Sequence, residues 1–148
     1  MVAIKKDYLK MLQTASWINR MMIALVYVWF GFLKILGTSP AEGLVSDLFN
    51  VTLSGLMSSS QFVICLGVFE CVLGLIWLFP SLTKIAFYTL IFHLITTFMP
   101  IVLLPNVTWT SFFSLTLVGQ YIVKNVVLFA SAFFVFKFSV PPVSLAVT

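Results

Sequence analysis

The chain has 148 residues, 61% apolar and 8% charged, with a formal net charge of +4. That balance excludes a soluble globular protein, and four apolar stretches, each near the roughly 20 residues a helix needs to cross the hydrocarbon, use up the length without room for a soluble domain. The excess lysines flank the apolar stretches, which suits anionic lipid headgroups and argues against a nucleic-acid partner.

Residues 1–16, with Lys5, Lys6 and Lys10, read as an N-terminal interfacial segment. The first span, Trp17–Leu36, is apolar for too long to be a signal peptide and has no small-residue cleavage site after it, so it is expected to be retained. Ser39-Pro40-Ala41-Glu42 then offers a serine cap, a proline for the first helical position and a glutamate that closes a capping box. The short helix after these residues has Leu44, Val45, Leu48 and Phe49 on one side, as expected of a helix lying on the outer membrane surface over the bundle.

Ser58–Ser60 leads into a second span, Gln61–Phe79, and Leu82–Leu104 is the third. Between Asn106 and Val118, threonine or serine alternates with Trp109, Phe112, Phe113 and Leu115, which predicts a short hairpin serving as a partial lid. Asn106-Val107-Thr108 matches a glycosylation sequon, too short a match to assign a function. The fourth span is Gly119–Phe138 and the tail is 139–148. The expected fold is therefore an all-α integral membrane protein, a four-transmembrane-helix bundle over residues 17–138 with a short outer amphipathic helix.

Lys5, Lys6, Lys10, Arg20, Lys84 and Lys137 all fall on one side of this arrangement. The positive-inside rule then places both termini in the cytoplasm and Glu42 and Asp47 outside. Arg20, at the inner edge, reads as a lipid-headgroup anchor. Cys65 and Cys71 lie about 120° apart on one helix, so they form neither a disulfide nor a Cys-x-x-Cys motif and read as small buried hydrophobes.

Lys34, Glu70, His93 and Lys124 sit one to a span. A charge at a helix centre costs roughly 2.5–3.5 kcal/mol by the lower scales, so these groups are expected to face one another or a wet cavity. Helical periodicity places Arg20, Ala24, Tyr27, Gly31 and Lys34 on one stripe, Val63, Gly67, Glu70, Gly74 and Trp77 on a second, and Ala86, Thr89, His93, Thr97 and Pro100 on a third. In the fourth span Gln120, Lys124 and Ser131 align, with Tyr121 adjacent and Asn125 turned to the side. All four polar faces are expected to converge, pairing Glu70 with Lys124 and leaving Lys34 near the mouth of a net-positive pocket that opens outward.

The candidate ligand-binding cluster is thus Lys34, Glu70, His93, Lys124, Tyr27, Thr97, Gln120, Tyr121 and Asn125. Plainer roles compete: a snorkelling lysine for Lys34, a structural salt bridge for Glu70 and Lys124, a satisfied interior histidine for His93, and packing for Tyr27 and Gln120. One histidine and no cysteine cluster give no haem, iron–sulfur or metal site.

Trp29-Phe30-Gly31-Phe32-Leu33-Lys34, Ser39-Pro40, Glu70 with Gly74, His93 with Thr97 and Pro100, and Gly119-Gln120-Tyr121-Ile122-Val123-Lys124-Asn125 together resemble the DoxX/DoxX-like family, over about Arg20 to Phe138. The resemblance implies a four-helix bundle. Named relatives include subunits linked to thiosulfate:quinone oxidoreduction, a mycobacterial membrane oxidoreductase complex, inner-membrane proteins of reactive chlorine stress and, more distantly, receptor chaperones and cargo receptors. The first functional expectation is a bacterial inner-membrane protein whose pocket binds a quinone or small anion within a redox or oxidative-stress system. The other is a non-catalytic scaffold or assembly subunit, with lipids and a membrane-protein partner or a second copy around it.

Overall fold

A computed structural model describes the backbone of residues 2–139 and the side chains of residues 7–138. Its elements in chain order are α1 (Val2–Ile35), α2 (Glu42–Thr52), α3 (Ser59–Ile76), a 3-10 turn (Pro80–Leu82), α4 (Thr83–Leu103), α5 (Pro105–Thr108), β1 (Trp109–Ser111), β2 (Ser114–Leu115) and α6 (Leu117–Ser139). Four helices, α1, α3, α4 and α6, are long and apolar enough to cross a membrane, so the chain is a multi-pass membrane bundle. One end of the bundle, the terminal end, carries the start of α1 and the finish of α6; the other, the hairpin end, carries β1 and β2. Of the tail expected over 139–148, residues 140–148 lie outside the described residues.

The first helix starts far upstream of Trp17, because residues 2–16 contain neither proline nor glycine to stop it. It ends in a Schellman motif: Gly37, at φ 65°, donates its N–H to Lys34 O at 3.2 Å, and Thr38 N–H reaches Leu33 O at 3.0 Å. Lys34 lies in that last turn, where its charge meets the negative end of the helix dipole. The capping signals after it act differently from expectation. Helix α2 begins at Glu42 behind Ala41 with no side-chain cap, while Ser39 Oγ accepts from Ala41 N–H. The capping box forms instead at Ser58 and Gln61, at the start of α3.

Helices α1 and α3 run antiparallel in the closest contact of the bundle. A Cβ on Gly31 would come within 2.6 Å of Gly67 O, one on Gly67 within 2.7 Å of Gly31 O, and one on Gly74 within 3.0 Å of Ala24 O. Small residues seven apart on each helix, Ala24 with Gly31 and Gly67 with Gly74, keep this seam narrow over two turns. Helix α6 packs on α1 and α4, whereas α3 and α4 approach each other far less closely. Helix α2 lies across α3 and α4 with Phe49 buried against Phe62.

The apolar core fills the half of the bundle nearer the termini, where Ile23, Leu73, Trp77, Ala86, Leu90, Ala132 and Val135 are buried. Arg20 closes that half. Rather than reaching to headgroups it is 2% exposed, donating to Trp77 O at 3.0 Å and Thr83 Oγ1 at 2.6 Å. The reason is local: the turn from α3 to α4 leaves the Trp77 carbonyl without a helical donor, and the guanidinium supplies one. At the other end β1 and β2 form the expected hairpin. Trp109 Nε1 anchors it by donating to Ile101 O, the carbonyl that Pro105 has no N–H to satisfy.

Candidate polar site within the bundle

Three of the four stripes read from the sequence face inward. Every member of the α1 and α3 stripes is buried, and on α4 Ala86, His93 and Pro100 are buried with Thr89 and Thr97 half-buried. The α6 stripe does not converge with them: Gln120, Tyr121 and Lys124 are exposed, while Asn125 and Ser131 are half-buried. What α6 turns inward is Gly119, Ile122, Ala132 and Val135.

This corrects the expected ion pair. Glu70 meets Lys34, not Lys124, with Lys34 Nζ 2.5 Å from Glu70 Oε2. Nor is Lys34 at a mouth. A Cβ on Gly67, halfway along α3, would sit 2.9 Å from Lys34 Cβ, so α1 ends at mid-depth and Lys34 with it. Side chains on a helix incline toward its N-terminus, and in an antiparallel pair the lysine of α1 and the glutamate of α3 therefore lean toward each other. At 5% exposure Lys34 has no room to snorkel.

The second carboxylate oxygen of Glu70, Oε1, lies 3.2 Å from His93 Nε2. A carboxylate only accepts, so Nε2 carries a hydrogen, and in the neutral imidazole Nδ1 is then the acceptor. Tyr27 OH lies 3.2 Å from that Nδ1 and donates to it in this tautomer. Thr97 Oγ1 is 3.5 Å away but donates to His93 O at 2.9 Å, holding the α4 backbone of the histidine. Lys34, Glu70, His93 and Tyr27 thus form one line of hydrogen bonds across α1, α3 and α4, with exposures of 5%, 6%, 8% and 4%.

Two features of the site had no reading in the sequence. Phe69 packs its ring 5.7 Å from the imidazole, and Tyr27 meets the same ring edge-on at 5.4 Å. Residue 69 follows an apolar pattern, so nothing marks it as a neighbour of a titratable group. The line also bridges the loosely packed seam between α3 and α4 with side chains rather than with close backbone contact.

The site lacks the second lysine expected of it: with Lys124 outside, the one lysine faces the one carboxylate. Neither of two apolar clefts enters it: about 420 Å³ beside Trp109, Ser111, Phe112 and Phe113, and about 340 Å³ between Ile91, Leu94, Ile95, Phe98 and Phe129. The cysteines lie apart from the line as hydrogen-bond partners; Cys65 is exposed instead of buried, and half-buried Cys71 donates its thiol to Val28 O at 3.6 Å. Among the described residues no group of three or more histidine, cysteine or acidic side chains is placed to hold a metal ion. Comparison with protein-family models, with curated proteins and with solved structures finds no match to this chain.

Proposed function

We propose that the protein is a bacterial inner-membrane protein of DoxX type, with both termini cytoplasmic, acting as a subunit or accessory of a redox or oxidative-stress system. In this reading the line from Lys34 to Tyr27 holds a proton beside a quinone. The observation that carries it is the unbroken contact of four titratable side chains in an otherwise apolar interior. Groups of this kind are costly at membrane depth and are kept where protons are handled. Quinone chemistry couples electrons to protons and needs a proton donor and acceptor close by.

The missing second lysine favours a quinone over the small anion that the sequence also allowed, because Lys34 is already paired with Glu70 and no further ammonium is left for an anion. A quinone carbonyl only accepts, so the Tyr27 hydroxyl, which lies against His93 Nδ1, would have to turn from the imidazole to meet it, and the quinone supplies two-electron chemistry when bound. Entry from the lipid is best served by the α3–α4 seam, where Phe69 covers the imidazole and α2 closes the hairpin end. A scaffold reading has one observation in its favour: every member of the line is partnered and buried, as a device that fixes helix register requires.

Quinone content separates the two. Protein purified from its native membrane in mild detergent is extracted and its quinones measured by mass spectrometry, alongside Tyr27→Phe and His93→Gln. The quinone reading expects bound quinone in the wild type and its loss in both variants while they remain folded. A wild type without quinone, and an unchanged redox phenotype in Tyr27→Phe, would leave the scaffold.

A further inference from the structure

Lys124 sits seven residues into α6, roughly 10 Å from the start of that helix, on a face turned away from the bundle. Its ammonium lies 4.8 Å from the ring centre of Tyr121, one turn nearer the hairpin end. Gln120, also exposed, shares the face, and Val127 continues it at 67% exposure. Helix α6 is also the barest of the four spans, with 17% of its apolar window buried against 28–33% in the others.

We propose that this face of α6 seats a membrane-spanning helix of a different protein, and that the helix brings a carboxylate to Lys124. Charge complementarity decides the occupant. The chain has four acidic residues, Asp7, Glu42, Asp47 and Glu70. Glu70 is taken by Lys34 and His93 on the inner side of the bundle, and Glu42 and Asp47 lie in α2, outside the spans. Asp7 stands at the terminal end of its span, the opposite end from Lys124. A second copy packed face to face would therefore set lysine against lysine. A partner helix with an aspartate or glutamate in the half of the membrane nearer the hairpin supplies the missing charge and covers the bare apolar flank together.

The inference uses none of the residues in the Lys34–Tyr27 line and stands whether or not a quinone binds there. Its test is a photocrosslinker, p-benzoylphenylalanine, at Val127, activated in the native membrane. The expected product is an adduct with one other membrane-spanning protein whose captured segment contains an acidic residue. Lys124→Glu should lower the adduct yield by at least roughly tenfold, as loss of a desolvated charge pair does, and Lys124→Arg should retain it. Exchanging the partner's acidic residue for lysine should restore the adduct in the Lys124→Glu background. Lys124→Gln gives a milder probe should the reversal prevent folding, and it too should lower the yield. Adducts with a second copy of this chain, adducts with lipid alone, a captured segment without a carboxylate, or yields unchanged by both Lys124→Glu and Lys124→Gln would each overturn the proposal.

Discussion

Glu70→Gln tests the centre of the site, because one carboxylate serves two partners: Lys34 at 2.5 Å and the His93 ring at 3.2 Å. Glutamine keeps the shape but leaves the Lys34 ammonium, 5% exposed, without a counter-charge. Removing one partner of a buried pair costs about 3–5 kcal/mol. Lys34→Met should cost less, about 1.5–3 kcal/mol, the range for hydrogen bonds to charged groups, because the stranded carboxylate keeps the His93 N–H. In the double variant neither charge remains, so its loss should fall short of the sum by about 1–3 kcal/mol. Pairing Glu70→Gln with Lys124→Met should instead be additive within about 0.5 kcal/mol, since Lys124 lies on the outside of α6. Reversible unfolding in mixed micelles or bicelles, followed by tryptophan fluorescence, measures the wild type and each of these variants. Additivity for Lys34 with Glu70, or coupling of Glu70 to Lys124, would refute the assignment.

Gly31→Leu should destabilise by about 1–3 kcal/mol or more, because the new Cβ lies 2.6 Å from Gly67 O and backbone cannot move aside as a side chain does; wild-type unfolding of this variant would contradict the narrow α1–α3 seam. Cysteines placed at positions 6 and 137, in a variant lacking Cys65 and Cys71, should resist membrane-impermeant labelling of intact cells while one at position 112 reacts. Labelling in the reverse pattern would invert the proposed orientation.

Periodicity places three polar stripes correctly and misplaces the fourth, and the difference is physical. On α1 and α3 the polar residues share their stripes with Ala24, Gly31, Gly67 and Gly74, so the face that holds the charge also allows the closest helix approach. In α6 these two properties separate. Its small and compact residues Gly119, Ala132 and Val135 turn to the bundle, and the stripe of Gln120 and Lys124 is left outside. Partner choice is equally out of reach, because the spans alone do not say that α1 ends halfway down α3. That depth follows from the Gly37 turn and the glycine contacts, and it decides that Lys34 rather than Lys124 reaches Glu70. Arg20 departs from expectation for a related reason, since only the folded turn exposes the carbonyl it caps.

The direction of the hydrogen bonds limits what the site can do with a proton. With His93 in its neutral Nε2–H tautomer, Tyr27 donates to His93, His93 donates to Glu70, and Lys34 donates to Glu70 from the other side, so the bonds of the line run toward one carboxylate. The unprotonated position is Nδ1 of His93, reached through the Tyr27 hydroxyl. A proton arriving there makes an imidazolium beside a carboxylate already neutralised by Lys34, leaving one net positive charge among groups 4–8% exposed. An uncompensated charge at such burial costs several kcal/mol, whereas a proton accompanied by an electron on an adjacent acceptor adds no net charge. Charge balance in this layer therefore penalises proton uptake alone and favours uptake matched to reduction, which is the coupling that the proposed quinone-linked function requires.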